Sequence, residues 1–233
     1  MEPVIILAGG FGTRLSSVLN GLPKPMADIN GTPFLELLIN NLIENGHSDF
    51  ILSLHYKAEQ IVDYFKNKNY KIRFVIEPKP LGTGGAVSYI INKFSLEKFI
   101  YVVNGDSWMD SGYSNFKNEN RNIISLVEIN DISRYGKVDK DKNNLIVKFL
   151  EKQNKVEQGI INSGFYKLDS SIFKKSKLES YSIESELFPN LALKKNLYGK
   201  IIKTTFTDIG IPKDYHEFCK IKNKNDKRNN QSD

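Results

Sequence analysis

Apolar positions along this chain come in short runs that alternate between the period of a strand and that of a helix. Residues 4–8 (Val-Ile-Ile-Leu-Ala) form an unbroken, β-branched run of strand length that stops in a glycine cluster. Leu35, Leu38 and Leu42 then share one helical face that Gly46 ends, with Thr32 expected as the cap and Pro33 as the first helical residue. Residues 50–55, 72–76 and 99–103 predict three further strands, separated by helices around Ile61, Val62 and Phe65 and over 86–94. Beyond them the pattern predicts a strand over 123–129, a hairpin of 135–138 and 145–150 around the turn 141–144, and a strand over 159–166 with a polar middle. A helix over 181–195, an apolar run over 201–206 and a short helix over 213–220 complete the chain.

Strand–helix alternation of this kind points to α/β architecture, and in such sheets ligands collect at the carboxyl ends of the strands. The expectation is a single domain over residues 1–220 with a Rossmann-like mixed, mostly parallel sheet and helices on both faces. Residues 221–233 are expected as a polar, basic tail that frays. At 233 residues, 40% hydrophobic and 26% charged, the chain has the length and composition of one well-buried globular domain.

The formal charge of +6 is modest and partly carried by the tail, so it suits an anionic small-molecule substrate better than nucleic acid. Neither a signal peptide nor a membrane span is visible, and a cytoplasmic location without a membrane partner is expected. A lone Cys219 excludes an internal disulfide and a cysteine-based zinc site. The three histidines do not cluster. His47, just past a helix end, is expected to be exposed, His55 to pack or cap at the end of the second strand, and His216 to pack on the last helix.

Candidate chemistry sits where strands end. Gly9, Gly10 and Gly12 follow the first strand, can take positive φ, and bring backbone N–H groups close to an anion, with Arg14 adding a planar charge. No Gly-Lys-Ser/Thr follows, and Leu15 stands where a dinucleotide fingerprint has its third glycine. Lys24 lies between Pro23 and Pro25, in a segment expected to be stiff and extended, able to aim one ammonium at a fixed point. Residues 81–86 (Leu-Gly-Thr-Gly-Gly-Ala) make a second glycine-rich turn after Glu77, the one acid there. As a pure acceptor, Glu77 would complement a base edge with two donors, such as guanine's, or it caps the turn. Asp106 follows a buried strand and Asp208 sits between an apolar run and a glycine turn. Mg²⁺ takes one or two protein carboxylates, and these are the two candidates. Glu151 and Asn162 could hold sugar hydroxyls, and Lys152 a phosphate.

In order, the chain carries Leu7-Ala8-Gly9-Gly10-Phe11-Gly12-Thr13-Arg14-Leu15, Pro23-Lys24-Pro25, Leu81-Gly82-Thr83-Gly84-Gly85, Gly105-Asp106, Tyr135-Gly136, Glu151-Lys152, Asn162-Ser163-Gly164 and Asp208-Ile209-Gly210. With this combination it resembles the sugar-1-phosphate nucleotidyltransferases over nearly its whole length. It looks closest to the bacterial D-glycero-α-D-manno-heptose 1-phosphate guanylyltransferases, with the mannose-1-phosphate enzymes as the near alternative. The resemblance implies a GT-A-like nucleotidyltransferase fold, a nucleoside triphosphate (GTP first) and a sugar 1-phosphate as substrates, and Mg²⁺ as cofactor. It implies that Leu7, Ala8, Gly9, Gly10, Gly12, Thr13, Pro80, Gly82, Thr83, Gly85 and Gly105 surround the nucleotide, with Glu77 reading the base. Arg14 would neutralise the leaving pyrophosphate and Lys24 the reacting phosphates. Tyr135, Gly136, Glu151, Lys152, Asn162 and Gly164 would hold the sugar phosphate, and Asp106 and Asp208 the metal. Two other classes compete. A nicotinamide-dependent oxidoreductase is disfavoured because the second strand ends in His55-Tyr56 without a ribose-binding acid. A non-catalytic sugar-nucleotide sensor need not keep the leaving-group contacts. The chain does not decide its oligomeric state, and a homodimer stays open.

Overall fold

A computed structural model describes residues 2–150, 156–173 and 179–229. The first half of the chain builds the parallel part of a sheet from β1 (Val4–Leu7), α1 (Phe34–Glu44), β2 (Phe50–Leu54), α2 (Ala58–Phe65), β3 (Ile72–Ile76), α3 (Gly82–Phe94) and β4 (Phe99–Asn104). β1 lies between β2 and β4, with β3 outside β2, all parallel. Helices cover both faces, so β1 is apolar on both sides. Val4 and Ile6 enter one core and Ile5 the other, which is why its sequence is a continuous run and not an alternation.

The second half adds β5 (Ser107–Met109), β6 (Ile123–Ile129), β7 (Lys137–Lys140), β8 (Ile146–Leu150), β9 (Gly159–Asp169), α4 (Phe188–Leu193), β10 (Tyr198–Ile201), β11 (Phe206–Asp208) and α5 (Pro212–Asn229). The long β9 joins the halves. It pairs antiparallel with β4, Phe165 opposite Val103, and carries β6 on its other edge, with an irregularity between Asn162 and Tyr166. The β7–β8 hairpin continues the sheet beyond β9, and β10 runs parallel to β6. The result is the mixed sheet with helices on both faces that the hydrophobic pattern implies, in the order β8-β7-β9-β4-β1-β2-β3 with β6 and β10 attached through β9.

Local departures from the sequence expectation have identifiable causes. Thr32 and Pro33 do not start α1. They form a two-residue ladder with Asp28 and Ile29, and Pro33 is extended, so the helix begins at Phe34. At its other end Gly46 N–H bonds the Ile43 carbonyl and His47 N–H the Leu42 carbonyl. This closure folds His47 inward. It is 4% exposed, not solvated as expected, with its ring 3.0 Å from the Tyr113 carbonyl and edge-on to Tyr101. The expected helix over 181–195 opens as one π-turn over Ile183–Leu187 before α4, because Pro189 lacks an N–H and crowds the carbonyl four residues back. The run over 201–206 is not one strand; it separates into β10 and β11, which pair with different partners.

The boundary expected at residue 220 falls inside α5. Phe218 of this helix packs on Phe34 and Trp108, and Lys222 lies 3.7 Å above the Trp108 ring. Among the described residues no helix is long and apolar enough to cross a membrane.

Candidate active site

The carboxyl ends of β1, β3 and β4 open into a cavity of about 310 Å³. Its lining includes Leu7, Gly9, Gly10, Glu77, Pro80, Gly82, Thr83 and Asp106, so the two glycine-rich turns and the aspartate after β4 share one crevice. Phe11, Leu81, Ala86 and Asn104 line it too, and none of these four was given a site role from the sequence. Ala8, Gly12 and Gly85 are not among the lining residues. Of the first-loop glycines only Gly12 is left-handed, at φ +63°, and an added Cβ there would lie 2.7 Å from the Lys24 Cβ. Gly9 is small for want of space, since a Cβ would sit 3.1 Å from Glu77 Oε1. A Cβ at Gly85 would lie 2.2 Å from the Glu179 carbonyl, so this glycine lets α3 pack on the segment at 179–181. Gly105 passes equally close to β1, its N–H on the Leu7 carbonyl at 3.0 Å.

Lys24 is 9% exposed. Pro23 is extended as expected, but Lys24–Met26 then turns as a single 3₁₀ unit closed by Met26 N–H on the Pro23 carbonyl, so the segment is stiff without being straight. Its Nζ lies 2.5 Å from Asp106 Oδ2 and 3.8 Å from Asp208 Oδ1. The two aspartates meet because β5 and β11 pair with Ser107 opposite Asp208, and Ile209 N–H bonds the Asp106 carbonyl at 3.0 Å. Neither strand was expected from the sequence as drawn, yet this two-stranded ribbon places the carboxylates side by side.

Burial and then the Asp106 charge push the Asp208 carboxyl above the usual range. Lys24, the Gly210 N–H at 2.7 Å and Arg134 pull it back. Two neighbouring carboxylates are a donor set that could hold a hard divalent ion, with phosphate and water completing its shell. Among the described residues no cluster of three or more metal-ligating side chains occurs.

Glu77, 7% exposed, does cap the turn: Oε2 accepts the Leu81 N–H at 3.1 Å, while Oε1 accepts the Ser53 hydroxyl at 2.8 Å. Each oxygen keeps further acceptor capacity toward the crevice. Burial raises the Glu77 carboxyl, and the Ser53 and Leu81 bonds partly offset this. His55 bonds the Glu77 carbonyl and meets the Phe11 ring edge-on, the packing role expected of it.

Thr13 and Arg14 are exposed at the start of a 3₁₀ turn over Thr13–Val18, outside the cavity lining. The Thr83 hydroxyl is already committed, donating to Glu184 and accepting from the Ile183 N–H. Asn162 is also engaged, its Oδ1 with the Gly164 N–H and its Nδ2 with the Tyr166 hydroxyl. Tyr135 packs edge-on to Phe206, and burial with the Asp208 charge pushes its hydroxyl up to about 12. A Cβ at Gly136 would lie 2.9 Å from the Leu150 carbonyl. Glu151 and Lys152 lie outside the described residues.

Two groups that sequence reasoning passed over stand near the aspartates and the second turn. Arg134 pairs with Asp214 at the start of α5 and acts electrostatically on Asp208; its signal was its place next to Tyr135-Gly136. Glu184 bridges Thr83 to the Tyr166 hydroxyl and had no local signal.

A nucleotidyl transferase family model matches residues 3–225. A D-glycero-alpha-D-manno-heptose 1-phosphate guanylyltransferase of Campylobacter jejuni is 43% identical over 218 residues, 92% of this chain and 97% of that protein. A protein of the same description from Aneurinibacillus thermoaerophilus is 37% identical over 223 residues, 91% of this chain and 95% of that one. The crystal structure of HddC from Yersinia pseudotuberculosis complexed with GMP-PN superposes with a TM-score of 0.81 at 39% identity, covering 94% of this chain and 99% of that one.

Proposed function

The chain belongs to the nucleotidyl transferase family, and from that premise we propose that it transfers GMP from GTP to D-glycero-α-D-manno-heptose 1-phosphate, releasing pyrophosphate. The observation that carries the reading is Lys24 held between Asp106 and Asp208 at the edge of a glycine-lined crevice with a carboxylate at its far end. The named relatives at 43% and 37% identity support the choice of sugar and base.

A phosphate oxygen of the sugar 1-phosphate attacks the α-phosphorus in line. The bond from that phosphorus to the bridging oxygen breaks, and pyrophosphate takes the electron pair. The attacking phosphate is already anionic at neutral pH, so no general base is required. The protein contributes position and charge. Glu77 accepts the guanine N1–H and N2–H₂ donors. Gly9 and Gly10 let the backbone approach the nucleotide. Lys24 sits where charge builds on the reacting phosphates, and Arg14, exposed at the loop, meets the pyrophosphate when the nucleotide is in place. Asp106 and Asp208 would hold Mg²⁺, which would supply neutralising charge to the phosphates. Tyr135, Gly136, Glu151, Lys152, Asn162 and Gly164 surround the sugar phosphate, and the product remains in the cytoplasm.

The test is pyrophosphate release with Mg²⁺, crossing GTP, ATP, CTP, UTP and dTTP against heptose 1-phosphate, mannose 1-phosphate and glucose 1-phosphate. Release with GTP and heptose 1-phosphate is the expected result. Preference for UTP or dTTP would overturn the role of Glu77, and preference for mannose 1-phosphate the choice of sugar. No release with any pair would overturn the enzyme reading.

A further inference from the structure

Asn104 ends β4, opposite Leu7 of β1, and lines the crevice. Its Oδ1 is buried and has no hydrogen-bond partner among the described residues, one of only two side-chain atoms there in that condition. A buried acceptor left unpaired is costly, and native structures leave few of them.

The orientation of the amide is fixed by its surroundings. The Asn104 amide bears on the Tyr166 hydroxyl as a donor would, favouring its ionised form, and that oxygen accepts from Asn162 Nδ2 at 2.8 Å while the Tyr166 proton points to Glu184 Oε1 at 3.4 Å. Turning the amide over would face two acceptors toward each other and leave a donor orphaned instead. Gly164, at φ +84°, makes the space. An added Cβ there would lie 2.9 Å from Asn104 Nδ2 and 3.1 Å from its Cγ.

Resting on the guanylyl-transfer reading, we propose that the Asn104 side-chain carbonyl accepts a hydroxyl of the sugar that carries the 1-phosphate. The donor comes from the sugar because the amide packs toward β9. It shares Tyr166 with Asn162 and lies against Gly164, whereas Glu77 and the glycine loop occupy the β1–β3 side of the crevice. Asn104 thereby stands at the seam between the nucleotide and sugar halves, two residues before Asp106.

The experiment compares the wild type with Asn104→Leu, which removes the acceptor at similar size, and Asn104→Asp, which keeps an acceptor that the Tyr166 hydroxyl can face. KM and kcat are measured for heptose 1-phosphate at saturating GTP and for GTP at saturating sugar, and again with monodeoxy analogues of the heptose. Asn104→Leu is expected to raise the sugar KM about tenfold with little change for GTP. One deoxy analogue should be impaired with the wild type but as good as the parent sugar with Asn104→Leu, and Asn104→Asp should recover part of the loss. A merely structural role would change all analogues alike, and that result, or an unchanged sugar KM, overturns the inference. So does a change confined to GTP that disappears with 2′-deoxy-GTP, which would move the donor to the ribose. Absence of pyrophosphate release by the wild type would instead overturn the reading on which the inference rests.

Discussion

Replacing Lys24 by methionine keeps most of the unbranched side chain and deletes its charge. In the folded protein that charge stands 3.8 Å from the half-buried Asp208 carboxylate, where an effective dielectric of about 20 gives an attraction of about 4 kcal/mol. On the proposed reading the same ammonium faces phosphates whose charge is redistributing, and the loss of one such contact in a preorganised site costs about 3–4 kcal/mol of barrier, a factor of 10²–10³. Lys24→Met is therefore expected to lower kcat by that factor in a continuous pyrophosphate-release assay. A second consequence runs the other way. Without the ammonium the two aspartates present a more negative site, so half-saturation should occur at lower Mg²⁺ concentration even as turnover collapses. A general loss of structure would weaken the metal requirement and the rate together. Turnover within about threefold of the wild type would refute the reasoning, because it would mean that Lys24 only neutralises the aspartates.

Glu77→Gln should erode base selectivity, changing the GTP-to-UTP ratio of kcat/KM about tenfold or more toward UTP, since an amide offers one donor and one acceptor where the carboxylate offers only acceptors; an unchanged ratio excludes a base contact. Because burial raises the Glu77 carboxyl from 4.5, ionising it costs folded-state stability as pH rises above that value, so the melting-temperature advantage of Glu77→Gln over wild type should grow from pH 4 to pH 7. Gly12→Ala forces a left-handed Cβ to 2.7 Å from Lys24 and should cost at least about 1–2 kcal/mol in urea unfolding, with turnover falling as well; a wild-type midpoint would show that the loop simply moves. His47 is held below the usual histidine value of 6.5 chiefly by burial, with Lys117 and Lys167 reinforcing and the Tyr113 bond and Glu2 opposing. Its contribution is full above 6.5 and is lost as pH falls from there toward the lowered value, so the urea midpoint should drop between pH 7.5 and 5.5, and His47→Gln should flatten that slope.

The parallel half of the fold was legible because β1, β2 and β4 are buried on both faces and read as continuous apolar runs, and because glycine, proline or acidic residues mark the turns after β1, β3 and β4, β3 itself being a half-buried edge strand. Those turns also carry most of the crevice, so Glu77, Gly82 and Asp106 could be located from position alone. Three things resisted. His47 looks like a loop residue until the two bonds at Gly46 fold the chain back over it. The β5–β11 ribbon is only three residues on each side and joins distant segments, so no local period announces it. Asn104 shows nothing unusual as a letter after an apolar run. Its unpaired oxygen becomes apparent only when Tyr166, Asn162 and Gly164 arrive from another strand.

Asp106 and Asp208 are about a hundred residues apart in the chain and meet through that ribbon. During synthesis at roughly 5–20 residues per second, the crevice-forming strands precede the second carboxylate by about 5–20 seconds. A nascent chain can therefore carry the walls of the crevice well before it carries the complete pair of acids. On the proposed reading, turnover waits for β11 to dock on β5 and complete the pair.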